Sequence, residues 1–166
     1  MLRRLFSVRG VLAVLAAVLA VMVASSPAWA ASVDPYVFRY LKAREPVPVE
    51  MDGQGSTRLF SPADLTAGKR LFEQSCINCH VGGATLPDPS VSLSLGDLKG
   101  ATPPRDNINA LVAYLRQPMI YDGSDITFWC RQVPESWLSQ PEIENLAAFV
   151  LRSAQTAPGW GTERFD

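Results

Sequence analysis

The stretch Cys76-Ile77-Asn78-Cys79-His80 decides how this chain is read. Cys-x-x-Cys-His is the attachment motif for a c-type haem. Each thiol adds across one vinyl group of the porphyrin, so two thioether bonds form. On a helical turn, positions i, i+3 and i+4 share a face, which brings both sulfurs and the imidazole to the same porphyrin. The pattern nominates Cys76 and Cys79 as covalent attachment points for one haem c, and His80 as the proximal iron ligand.

Three other chemistries use the same residue types. A thioredoxin-like Cys-x-x-Cys needs a βαβ setting, whereas this motif follows a helical pattern and precedes a glycine loop. A zinc site drawn from Cys76, Cys79, Cys130 and His80 would require the adjacent Cys79 and His80 to reach one tetrahedral ion. A Cys76–Cys79 disulfide would strain a tight loop and leave His80 without a task. The haem reading uses all three residues.

Immediately upstream, Ser61 can cap a helix, Pro62 sits at its first position and Asp64 offers a carboxylate to its first turn. The spacing predicts a helix running to about Ser75, with Leu65, Gly68 and Phe72 on one face. Glycine inside a helix costs about 1 kcal/mol relative to alanine. Either Gly68 is merely tolerated, or a close helix crossing offsets that cost. Before this helix, Val47–Met51 faces Thr57–Phe60 across Asp52-Gly53-Gln54-Gly55-Ser56, a small β-hairpin with Pro48 on an edge. Residues 31–46 read as an N-terminal arm ending at Pro46.

The chain opens with Arg3, Arg4 and Arg9, an apolar stretch from Val11 to Ala24, and Ala28-Trp29-Ala30. The apolar stretch falls short of the roughly 20 residues that span a bilayer. A positive start, a short apolar middle and a small-residue exit make a secretory signal peptide. Residues 1–30 are read as that signal, leaving a mature domain over 31–166 with no further run long enough to span a membrane. Loss of three arginines leaves 12 basic against 16 acidic residues, a net charge of −4. That balance speaks against nucleic acid, whose binders carry a basic patch.

Downstream of the motif, residues 82–104 are rich in Gly, Pro, Ser and Asp and read as wrapping loop. A helix is expected to start near Pro104–Asp106, to bury Ile108, Leu111, Val112 and Leu115, and to end at Pro118. A second irregular stretch, 118–138, holds Met119, Phe128, Trp129, Cys130 and Trp137. The last helix opens with Ser139-Gln140-Pro141-Glu142, at capping-box spacing, and its buried face is Ile143, Leu146, Ala147, Phe149 and Val150. The tail carries Trp160 and Phe165.

The sixth iron position is constrained by counting. His80 is the only histidine, so a bis-histidine haem cannot form within the chain. Met1 and Met22 leave with the signal, and Met51 precedes the motif. Met119 follows it, and so does Cys130, the third cysteine of an exported chain and one without a disulfide partner. Cys130 could ligate ferric iron as a thiolate, with the neighbouring Arg131 lowering its pKa and Phe128 and Trp129 shielding the haem edge. A buried inert thiol is the plainer alternative. On the residues alone Cys130, Met119 and an open or water-held position all stand.

Four segments resemble the cytochrome c-550 family, the extrinsic haem subunit of cyanobacterial photosystem II. They are Gly68-Lys69-Arg70-Leu71-Phe72, Cys79-His80-Val81-Gly82-Gly83, Ala101-Thr102-Pro103-Pro104-Arg105-Asp106-Asn107 and Tyr121-Asp122-Gly123. The Thr-Pro-Pro-Arg-Asp-Asn run is the most particular. The resemblance implies a mainly α, class I cytochrome c fold with a small N-terminal hairpin. It also implies residence in the thylakoid lumen, peripheral to the membrane, and docking to the lumenal face of photosystem II. It carries Cys76, Cys79 and His80 over as haem attachment and proximal ligand. The family's second histidine ligand lies a short way after Tyr-Asp-Gly, and Cys130 falls at that place, ahead of Met119. The family's tyrosine-rich C-terminus has no counterpart in Arg164-Phe165-Asp166.

The functional expectation is one-electron transfer at low potential, or haem-dependent support of photosystem II. A gas or redox sensor with a displaceable Cys130, and a soluble carrier independent of photosystem II, are the other readings. No hydrolytic triad can be assembled once His80 is committed, so no enzyme is expected.

Overall fold

Residues 32–85 and 91–162, with Val14, are described in the computed structural model. The export-signal residues other than Val14, and Phe165, lie outside them. Among the described residues are five helices and one two-stranded sheet.

The first helix, α1 (Pro35–Arg39), lies in what reads as an arm. Five residues are too few to show a period, but the capping signals are present. Asp34 Oδ1 accepts from Tyr36 N at 2.7 Å, and Pro35 sits in the first turn. So short a helix depends on its surroundings. Thr66 Oγ1 accepts from Asp34 N at 3.1 Å, and Lys69 Nζ lies 3.0 Å from the Asp34 carboxylate.

The hairpin forms as expected. Strand β1 (Val47–Glu50) pairs antiparallel with β2 (Thr57–Phe60), placing Val47 opposite Phe60 and Pro48 opposite Leu59. Val49 and Phe60 are buried.

Helix α2 (Pro62–Ser75) matches its sequence limits. Ser61 N donates to Asp64 Oδ2 at 2.8 Å and Asp64 N donates to Ser61 Oγ at 3.1 Å, a reciprocal cap. Its buried face is Leu65, Thr66, Gly68 and Phe72. Gly68 marks a close crossing: a Cβ built there would lie 2.0 Å from the Asn145 carbonyl oxygen. Residue 145 belongs to the long C-terminal helix.

The wrapping-loop expectation for 82–104 needs correction, because α3 (Leu95–Gly100) lies inside it. Ser94 Oγ accepts from Asp97 N at 3.1 Å, and Leu98 is buried. Glycine at both ends of this six-residue turn hid it from composition. Helix α4 (Ile108–Arg116) starts a few residues later than expected, capped by Asn107, whose Oδ1 accepts from Ala110 N at 2.9 Å. Helix α5 (Gln140–Thr156) opens at Ser139, whose backbone and side chain both donate to Glu142. All five residues assigned to its inner face are buried, joined by Ala148, Leu151 and Ser153.

Helix α5 is the spine against which α2 and α4 pack. Phe72, Phe149 and Trp160 form an aromatic triangle, with ring centroids 5.4 to 5.7 Å apart. Such pairs contribute about 0.5–1.5 kcal/mol each beyond burial. Between α4 and α5 the chain is irregular save for one bridge, Met119 to Ile126. No helix among the described residues is long and apolar enough to cross a membrane.

Candidate haem site

The motif occupies a helical turn that continues α2. Cys79 N and His80 N both donate to the Cys76 carbonyl, at 3.1 and 3.0 Å. This is the i, i+3, i+4 geometry that the spacing requires. The chain then reverses through Gly82 and Gly83, both at positive φ. Trp160 packs so closely on Gly83 that a Cβ there would lie 2.5 Å from the indole. The indole Nε1 donates to the Leu93 carbonyl at 3.0 Å, and Gly161 N donates to the Gly82 carbonyl at 2.8 Å. The C-terminal tail thus clamps the turn that carries His80.

A cavity of about 210 Å³ opens beside this turn. Cys79, His80, Met119 and Cys130 all line it, although 51 positions separate Cys79 from Cys130 in the chain. Cys76 is half-buried and close enough for Cys79 and Cys130 to act on its charge. Leu98, Leu111 and Ile120 supply apolar wall. Met51, on the other side of the motif in sequence, is not among the lining residues.

All three thiols are free of disulfides. Burial, then the neighbouring sulfurs Cys130 and Cys79, push the Cys76 thiol up to about 12. Burial also raises Cys130, against the opposing pull of a Tyr114 hydrogen bond and the Arg105 charge. Burial lowers His80 below its ordinary value, and the nearby Ala84 carbonyl opposes that more weakly. The imidazole is therefore neutral near neutral pH, as a metal ligand must be. Among the described residues no group of three or more His, Cys, Asp or Glu side chains is placed to hold a metal ion.

Two residues overlooked in the sequence shape the site. Arg105, from the Thr-Pro-Pro-Arg-Asp-Asn run, is buried. Its Nη2 donates to the carbonyls of Met119 and Ile120 at 3.2 and 2.8 Å. Its guanidinium carbon lies 4.0 Å from the centre of the Tyr114 ring, and the Tyr114 side chain acts on the titration of Cys130. Arg131, expected to assist Cys130, instead lies over the Trp137 ring at 5.4 Å. The cation that acts on Cys130 is Arg105, 25 positions upstream. An arginine in a loop before a helix cap was the available signal, but its target lies across a fold the sequence does not display. Trp129 lines the cavity, and Phe128 is 90% exposed and is not among the lining residues.

The donor set fits a c-type haem. Two thiols lie on one helical turn, with a neutral imidazole beside them. A further sulfur reaches the same cavity, whose walls are largely apolar.

The cytochrome c-550 domain family matches residues 40–166 of this chain. A cytochrome c-550-like protein of Trichodesmium erythraeum is 55% identical over 163 residues, covering 98% of each chain. The photosystem II extrinsic protein V of Gloeobacter violaceus is 55% identical over 137 residues, covering 82% of this chain and 74% of its own. The crystal structure of the PsbV2 cytochrome from Thermosynechococcus elongatus superimposes with a TM-score of 0.77 at 58% identity. It covers 78% of this chain and 99% of that one.

Proposed function

This chain belongs to the cytochrome c-550 family, and we propose that it is a lumenal cytochrome with one covalent haem c, working in low-potential electron transfer in association with photosystem II. One observation carries the reading: Cys79, His80 and Cys130 share the wall of a single cavity, with Cys76 beside them.

When bound, the haem supplies a ferric/ferrous couple that takes up and releases single electrons. Cys76 and Cys79 would hold the porphyrin through thioether bonds. His80 would ligate the iron and Cys130 would be the second protein ligand, with Met119 the alternative; all three line the cavity. Cys130 would donate as an anionic sulfur, which would favour ferric over ferrous iron and hold the potential low. The Tyr114 hydroxyl and the Arg105 charge favour the anionic form of that sulfur. Leu98, Leu111 and Ile120 would give the porphyrin an apolar wall.

Association with photosystem II is supported by the relative that bears the name extrinsic protein V. Export is supported by the arginine-rich start, the short apolar stretch and Ala28-Trp29-Ala30. The carrier or extrinsic-subunit role fits these relatives better than an enzyme does.

Absorption and EPR spectra of the ferric protein test the ligand set. Cys130→Ser should change both, and Met119→Leu should leave both as in wild type. An unchanged Cys130→Ser spectrum rejects the thiolate. Co-purification with photosystem II tests the partner, and N-terminal sequencing of the mature protein should begin at Ala31. Uptake of carbon monoxide by the ferrous protein, with loss of the sulfur ligand, would shift the reading to a gas sensor.

A further inference from the structure

We propose that the Thr85 hydroxyl is a positioning group for His80, accepting a hydrogen bond from the imidazole Nδ1–H so that Nε2 is committed to iron and becomes a stronger donor. Thr85 Oγ1 lies 3.0 Å from His80 Nδ1 and 2.5 Å from the Val91 carbonyl oxygen. A carbonyl cannot donate, so the single hydroxyl proton goes to Val91. The hydroxyl then offers only lone pairs to the imidazole, and Nδ1 must carry the hydrogen. A neutral imidazole has one N–H, so Nε2 keeps its lone pair.

The order of the two bonds sets the direction of the effect. Donation to Val91 leaves Oγ1 more negative and a better acceptor for Nδ1–H, since linked hydrogen bonds polarise one another. A ligating histidine that donates its other N–H becomes more basic toward the metal. A more basic ligand stabilises ferric iron and lowers the potential. Thr85 is held for this task. Gly83 accepts from Leu93 N at 2.6 Å, and the Trp160 clamp acts on the same turn. Thr85 lies outside the Cys-x-x-Cys-His motif, and nothing in the motif marks it.

The inference rests on His80 being the iron ligand, and the experiment separates the two. His80 is the only histidine, so 15N-histidine labels one imidazole in the haem-loaded protein. Pulsed EPR of the ferric form then reads whether that nitrogen is bound to iron. Absence of an isotope-dependent coupling sinks the ligand assignment itself. With the coupling present, Thr85→Val should move the midpoint potential to a more positive value and alter the nitrogen coupling. Thr85→Ser should return both toward wild type. A potential and coupling in Thr85→Val equal to wild type would overturn the proposal. NMR of the labelled wild type checks it without any variant. Nδ1 should carry a proton slow to exchange with solvent, and a proton-free Nδ1 overturns the proposal.

Discussion

Gly68 and Asn145 meet backbone to backbone: a Cβ on residue 68 would lie 2.0 Å from the Asn145 carbonyl oxygen and 2.9 Å from Phe149 Cβ. Helix propensity favours alanine over glycine by about 1 kcal/mol. Overpacking against neighbours that cannot yield costs about 1–3 kcal/mol or more. Here the obstacle is backbone, so packing wins. Gly68→Ala should destabilise the protein by about 1–3 kcal/mol in denaturant titration. A stabilised variant would mean that α2 and α5 can part freely.

Arg105 ties the segment before α4 to the carbonyls of Met119 and Ile120. Replacing it with methionine removes the donor and leaves the Met119 carbonyl without it, while the Ile120 carbonyl keeps Gly123 N. Each unsatisfied buried acceptor costs about 1–3 kcal/mol. Arg105→Met should lower the unfolding midpoint and admit protease to residues 118–138 before the rest. Arg105→Lys keeps a cationic donor but loses the planar guanidinium stacked on Tyr114, and should fall between the two. Cleavage spread evenly along the chain would count against this linkage.

The Tyr114 side chain is near enough to Cys130 for its hydroxyl to favour the thiolate. A hydrogen bond to a ligating thiolate withdraws electron density from sulfur and raises the potential. Tyr114→Phe keeps the ring under Arg105 and removes only the hydroxyl. Its midpoint potential should be more negative than wild type, with a changed ferric EPR signature. The same substitution in a Cys130→Ala background should have no such effect, because the acceptor is gone.

The cap of α5 supplies a pH dependence. The Ser139 side chain, then its backbone N–H, holds the Glu142 carboxyl below its ordinary 4.5. A depressed folded-state pKa means that the unfolded chain binds the proton more readily. The stabilisation is present above pH 4.5 and is lost as pH falls through the folded value. Glu142→Gln can still complete the capping box, so it should melt close to wild type at neutral pH. On acidification wild type should lose more of its Tm than the variant. Parallel acid slopes would show that the carboxylate charge contributes nothing.

Local signals and long-range ones were not equally legible. Ser61-Pro62-Asp64 and Ser139-Pro141-Glu142 announced their helices because a cap is built from neighbours in sequence. The hairpin followed from glycines between two short apolar runs. Helices α1 and α3 were missed because five and six residues do not show a period. Arg105 was noticed only as part of a family run, and its partners stand 14 and 15 residues downstream. Arg131 was credited with its task on adjacency alone, yet adjacent residues need not share a face.

Cys76, Cys79 and His80 lie within one turn of backbone, so their spacing alone determined that two sulfurs and an imidazole share a face. The lone histidine likewise ruled out a second imidazole by counting. Tertiary structure decided what meets them. It brought Cys130 and Met119 to the wall of the same cavity and gave Arg105, not Arg131, to Cys130. It also set the Thr85 hydroxyl against Nδ1, with Val91 as the acceptor beyond it. The physical reason is range: hydrogen bonding within a turn is written in local order, whereas a cavity wall is assembled by burying faces of helices far apart in the chain.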